Sequence, residues 1–406
     1  IYLTANLFAA DGSWSNARLV AFNRSALEAG ATSSAIAIDL PATSGNLLPA
    51  DARVQTGLPA AGTPNYVTEI WTTGSLKMWK FHVDWTTPAN SSVTVAGSPT
   101  EINVTPFAFA ADRAPAKSPG NALDTLNDRP IMPARYSKIG GVESVWFTHV
   151  VGSGGSPNVA GVRWYQLGVT GDSIATTPIQ QATWNPGDGI HRFLPSLAVD
   201  RFGDVALGYS ASSSSVHPGI RYAGRLATYT ASMFDYGEQT IQTGGGGQTY
   251  SERWGDYSSM TLDPADGCTF WYANQYYASS GDDWRTAIAS FGYPSCTTQA
   301  STVAPVASTT GLPLVGTTAS STRGSWAGVP TSYAYQWQRN TGSGWTNIGS
   351  ATSSTYPLDA ADGGAQVRCT ITVASPYGSA TQAGSSRTGA RQAACARARG
   401  RARGAH

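Results

Sequence analysis

One short cassette recurs along most of this 406-residue chain, and it limits the fold before any single residue does. Five apolar segments with strand character, Tyr2–Phe8, Tyr66–Trp71, Val145–Val151, Val205–Ser210 and Thr269–Asn274, start about 60 to 80 residues apart. Each is followed 11 to 17 residues on by a second one: Arg18–Phe22, Lys77–Phe81, Val162–Gln166, Ile220–Gly224 and Arg285–Ser290. Four repeats add an alternating stretch, at Ala35–Asp39, Ser92–Ala96, Thr177–Ala182 and Glu238–Ile241. Short β segments at a fixed long period, with no helical period between them, are the signature of radially repeated sheets. The pattern predicts an all-β chain whose residues 1–296 form a β-propeller with five visible blades. The first repeat lacks its innermost strand, so the propeller is expected to be truncated at its start.

Beyond Cys296 the period stops. Residues 297–302 read as a Thr/Ser/Ala linker. Residues 303–389 then carry Trp337 and Cys369 on alternating strands, the pattern of an immunoglobulin-like sandwich with Trp337 in its core and Cys369 facing it. The upstream cysteine that usually bridges such a sandwich is missing, so Cys369 is expected as a buried apolar residue. Residues 390–406 have no packing pattern and read as a disordered basic tail.

Charge narrows the choice of partner. The formal charge of +1 is misleading, because six of the 26 basic residues lie in the last 20 positions with no acid among them. The folded body is therefore near −5, with no electrostatic footprint for nucleic acid. No apolar run is long enough to span a membrane. Cys268 on a strand and Cys296 at the end of the last repeat are placed to form a structural disulfide, which suits a secreted or cell-surface location. His82, His149, His191 and His217 fall at no metal-ligand spacing, so no transition-metal site and no cofactor are expected. Asp282-Asp283 is the kind of acid-rich turn that can take a structural calcium ion, although solvated turn acids are the plainer reading.

Two stretches carry a family resemblance. Ser196–Tyr209, Ile220–Arg225, Arg253–Asp263 and Thr269–Tyr272 resemble a group of secreted bacterial β-propeller proteins, often labelled sialidase-like or Asp-box-like, whose function is largely unassigned. Arg253-Trp254-Gly255-Asp256 and the residues following it are the most specific part. Tyr335-Gln336-Trp337 and Ala360–Asp362 resemble bacterial immunoglobulin-like modules appended to extracellular proteins. The resemblance implies a secreted propeller that begins further upstream, and it supplies no catalytic residue.

Several constellations could carry chemistry. Inner strands that begin near Asp128-Arg129, His191-Arg192 and Arg253 would bring Arg129, Arg192 and Arg253 toward one channel mouth, where guanidinium forks suit a carboxylate. The alternative is that each arginine ties neighbouring blades together. Trp254, Tyr276, Tyr277 and Trp284 crowd the last blade, and rings around Ala278–Asp283 could stack on a sugar. A hydrolase would need paired carboxylates; Asp256 and Glu252 are the leading candidates, with Glu69 and Glu143 behind them. Asp200–Gly203 and Asp263–Gly267 read as structural β-turns. Gly244–Gly247 lacks the residues of a phosphate loop and reads as a flexible connection. The expected function is an extracellular, monomeric binding protein for a glycan or other acidic polymer, with the second domain as spacer or adhesion module. The alternatives are a sialidase-like glycoside hydrolase and a structural surface protein.

Overall fold

A computed structural model describes residues 1–388 except 54–55, 95–97, 154–158, 230, 297–300, 304–305, 310–313, 327–331, 376–377 and 385–386. The fold is all-β, with 52% strand and 5% helix. Two compact units divide the chain, Ile1–Phe291 and Gly292–His406. No described helix is long and apolar enough to cross a membrane. The basic tail and Cys395 lie outside the described residues.

In the first unit every repeat forms antiparallel strands joined in sequence order. Tyr2–Phe8, Trp14–Phe22 and Ala35–Asp39 make a three-stranded sheet. Leu48–Ala52, Asn65–Thr72 and Ser75–His82 follow, with Ser92–Val93 and Thr100–Asn103 both paired to the last of them. The third repeat supplies Ile131–Ile139, Val142–Gly152, Ala160–Gly168 and Gln180–Trp184. The fourth gives His191–Val199, Val205–Ser213, Val216–Arg225 and Gly237–Gln242. Ser259–Leu262, Phe270–Tyr277 and Trp284–Phe291 close the unit.

Five separate sheets were expected, and here the structure differs. Ala134–Tyr136 pairs in parallel with Ala50–Ala52, which fuses the second and third repeats into one nine-stranded sheet. The physical reason is local: an edge strand leaves a row of unpaired N–H and C=O groups, and these two edges lie side by side and satisfy each other. Successive sheets pack face on face. Leu19 and Ala21 of the first share a core with Trp79 and Phe81 of the second. Trp146 and Trp164 of the third, stacked at 6.0 Å, share one with Leu197, Leu207 and Tyr209 of the fourth. The ring of Tyr272 lies where Gly208 would carry a Cβ, with a contact of 2.5 Å, so the fourth and fifth sheets approach this closely only over glycine.

The turns behave as expected. Asp200 Oδ1 accepts from the Phe202 and Asp204 amides, and Gly203 has φ +90°. Asp263 accepts from Ala265, and Asp266 from Cys268 and Thr269. The glycine run does not behave as expected. Cβ atoms on Gly244, Gly245 and Gly246 would meet backbone atoms of Pro218, Ala278 and Ser279 at 2.1, 2.2 and 2.1 Å. The run is therefore a close backbone crossing, fixed by Gly245 N donating to Tyr277 O and Gly281 N donating to Gly247 O. Gly246→Ala is expected to lower stability by about 1–3 kcal/mol through overpacking, read as a fall in the urea midpoint. An unchanged midpoint would restore the flexible-linker reading.

In the second unit, strands Ala307–Thr309, Thr318–Ser321 and Thr355–Pro357 form one sheet. Trp345–Asn347, Ser332–Asn340, Gln366–Ser375 and Gly378–Ala383 form another. Ser301–Val303 is already a strand, paired with Ser325–Trp326, so the expected linker ends earlier than residue 302. Trp337 lies directly opposite Cys369 in register, and both are fully buried with Ala319 and Tyr356 of the facing sheet. Cys369 is a free thiol, as expected. Asp362 accepts from Arg339 Nε, Tyr356 Oη and the Asp359 amide, which explains Ala360–Asp362 as a structural corner. Cys268 and Cys296 are both disulfide-bonded.

Candidate functional site

The loop at Gln248–Ser258 lines a cavity of about 480 Å³ in the first unit. Several hydrogen bonds hold that loop. Gln248 Nε2 donates to the carbonyls of Ser251 and Arg253, while Tyr277 Oη donates to Gln248 Oε1. The Gly255 amide donates to Gln275 Oε1, and Gly255 has φ +55°, a left-handed turn that carries the chain over Asn274. Trp254 anchors the loop from below. It is 1% exposed, stacks on Tyr277 at 5.3 Å and donates Nε1–H to Ser210 Oγ.

Three rings on this cavity stay exposed: Tyr250 at 62%, Tyr257 at 84% and Trp284 at 58%. Between them Arg253 pairs with Asp256. The Asp256 side chain is only 10% exposed, and its Oδ1 is buried without a hydrogen-bond partner. A buried acceptor left unmade costs about 1–3 kcal/mol.

Of the residues expected to converge, the structure assembles Arg253, Trp254, Asp256 and Trp284. Arg192 is not among them. Its side chain is 0% exposed and is held by Asp188 and Glu238, so it is a structural cation within the fourth sheet. Arg129 pairs with Asp128 and lines a different cavity, so the three arginines do not share one mouth. Inner-strand starts explain the failure: the strands begin at Ile131, His191 and Ser259, which leaves the arginines at unequal offsets.

The aromatic expectation needs the same sorting. Tyr277 is fully buried and pairs in register with Trp284, whereas Tyr276 pairs with Arg285 on the opposite face. Only Trp284 of the three is presented to the cavity. Tyr250, Asn274 and Gln275 are lining residues that sequence reasoning missed.

Carboxylate pairing fails as well. Glu252 is turned away to Arg113 at 3.3 Å, and its own backbone amide together with Arg113 holds its carboxyl below the usual range. Glu143 is engaged by the Gly171 amide, Tyr136 and Lys138. Among the described residues, Asp256 is the only acid lining this cavity. Among the described residues no group of three or more His, Cys, Asp or Glu could hold a metal ion. Asp283 of the acid-rich turn lies 3.7 Å from Arg285.

No family model and no curated protein matches this chain. Two similar solved structures are an α-L-arabinofuranosidase from Lactobacillus brevis and a protein of unknown function from Dyadobacter fermentans. The first is 13% identical with a TM-score of 0.32, over 72% of this chain and 86% of the other. The second is 10% identical with a TM-score of 0.27, over 94% and 92%. Likeness at this level carries neither fold nor activity across.

Proposed function

We propose that this chain is a monomeric extracellular or cell-surface protein that binds a glycan at the Trp284 cavity. In this reading the first unit is a β-propeller and the second an immunoglobulin-like spacer or adhesion module. The propeller reading is supported by antiparallel strands in sequence order within each repeat, and by the cores that the first and second repeats, and the third and fourth, share face on face. The module reading is supported by Trp337 and Cys369 in a core shared by two sheets. The disulfide-bonded cysteines suit an oxidising compartment.

The observation that carries the binding reading is the set of exposed rings, Tyr250, Tyr257 and Trp284, that line one cavity with the Arg253–Asp256 pair. Flat rings stack on the apolar faces of sugars, and a fixed carboxylate accepts from their hydroxyls. Glycoside hydrolysis is the weaker reading, because it needs a second carboxylate and, among the described residues, Asp256 is the only one lining this cavity.

A glycan array on the full chain, run beside a fluorogenic glycoside panel, tests both readings. Trp284→Ala and Tyr257→Ala are each expected to weaken binding about tenfold, or ~1.4 kcal/mol. Turnover that disappears in Asp256→Asn would replace binding with catalysis. Silence in both assays would leave a structural protein.

A further inference from the structure

A second cavity, of about 450 Å³, lies within the first unit and shares no lining residue with the Trp284 cavity. One wall is aromatic. Trp14 is 40% exposed yet rigid, because its Nε1–H donates to Ala42 O at 2.7 Å and its ring rests on Gly45, where a Cβ would meet it at 2.8 Å. Phe8 stands edge-on to Trp14 at 5.7 Å. The other wall is a chain of planar polar groups. Asn6 Nδ2 donates to Asn46 Oδ1 at 2.8 Å, and Asn46 Nδ2 donates to Asp128 Oδ2 at 3.3 Å. Arg129 grips the same carboxylate through two hydrogen bonds. Asn46 is held at φ +52°, and its amide donates to Asn6 Oδ1. This left-handed residue fixes both side-chain amides against the cavity.

Charge selects the occupant. Glu69 and Asp128 oppose an anion, and among the described residues the one lining cation, Arg129, is already paired. Trp71, which also lines the cavity, carries the Lys77 ammonium 2.8 Å from its ring centre, so its face is already taken by a cation. What remains is a neutral molecule with one apolar face and several hydroxyls. We infer that this cavity is a second saccharide-binding site, taking a neutral oligosaccharide on the Trp14 ring and hydrogen-bonding it through Asn6, Asn46 and Asp128. Glu69 sits on its floor, 2% exposed, and accepts from the Gly45 amide and Trp79 Nε1. Burial raises its carboxyl above the usual range.

The test is calorimetric titration of the full chain with neutral cello-, xylo-, manno- and malto-tetraose, with sialyllactose and tetramethylammonium as charged controls. At least one neutral tetrasaccharide is expected to bind, and Trp14→Ala or Asn6→Ala to weaken it at least about tenfold. Trp284→Ala should leave that binding unchanged, which separates this site from the one proposed above. Asn6 is a surface side chain, so Asn6→Ala decides the matter if Trp14→Ala melts early. The inference is overturned if no neutral probe binds, if only a charged control binds, or if binding is lost in Trp284→Ala but kept in Asn6→Ala.

Discussion

Arg192→Met is expected to destabilise the first unit by about 3–5 kcal/mol, the cost of breaking a buried ion network by removing one partner. The Arg192 side chain has no exposed surface. Its guanidinium donates to both Asp188 oxygens at 2.9 Å, to Glu238 at 2.7 and 3.1 Å, and to the Ile190 carbonyl at 2.9 Å. Glu238 also accepts from Arg221 and Tyr209, and Tyr209 accepts in turn from Trp184. Methionine fills much of the volume but leaves Glu238, only 17% exposed, short of its main counter-ion. Adding Glu238→Gln should recover part of the loss, because a neutral amide costs less to bury unpaired. Arg253→Ala should cost less than Arg192→Met, because its own side chain is 62% exposed and only one carboxylate, Asp256, loses its partner. Urea unfolding of the three variants measures all of this. A parental midpoint for Arg192→Met would mean that the network contributes nothing.

Arg192 also marks how far the sequence can be read. The period of the apolar segments was legible, because alternation and length are properties of neighbouring residues. The strands at Ala35–Asp39 and Gly237–Gln242 lie where that pattern puts them. The parallel seam at Ala50 and Ala134 was not legible, since it depends on which edges meet in space. Nor was the fate of Arg192: Asp188 is four residues away, but Glu238 reaches it across the sheet from 46 residues on. The glycine run misled for a similar reason. Glycine permits both freedom and close approach, and only the opposing backbone of Ala278 and Ser279 decides between them. At the candidate site, Asp256 and Trp284 were readable as chemistry-bearing types, whereas the separation of Tyr276 from Tyr277 needed the register with Trp284. The cavity at Trp14 was missed because its parts, Asn6, Asn46 and Asp128, are scattered over three repeats.

Asp200 should make the stability of the first unit fall as pH rises from about 4 to about 8. It sits in the turn Asp200–Gly203, fully buried, with Oδ1 accepting from two backbone amides and Oδ2 buried without a hydrogen-bond partner. Burial, reinforced by the nearby Asp204 carboxylate, pushes its carboxyl up from 3.8 to about 8. Below the lower value both folded and unfolded chains carry the proton. Between the two values the folded chain keeps a proton that the unfolded chain has released, so each rise in pH favours unfolding. Above about 8 the proton is lost from both, and the stabilisation it gave is gone. The slope approaches about 1.4 kcal/mol per pH unit inside that window. Asp200→Asn keeps a carbonyl oxygen for the Phe202 and Asp204 amides but cannot ionise. Any fixed cost of its unpaired amide is the same at every pH. The difference in stability between variant and parent should therefore shift steadily in the variant's favour from pH 4 to pH 8, and then level off. Subtracting the two curves removes every titrating group that does not interact with Asp200, so what remains belongs to Asp200 together with its neighbour Asp204. A difference that stays flat across the window would show that Asp200 is already ionised in the folded chain, and that Oδ2 has found a partner.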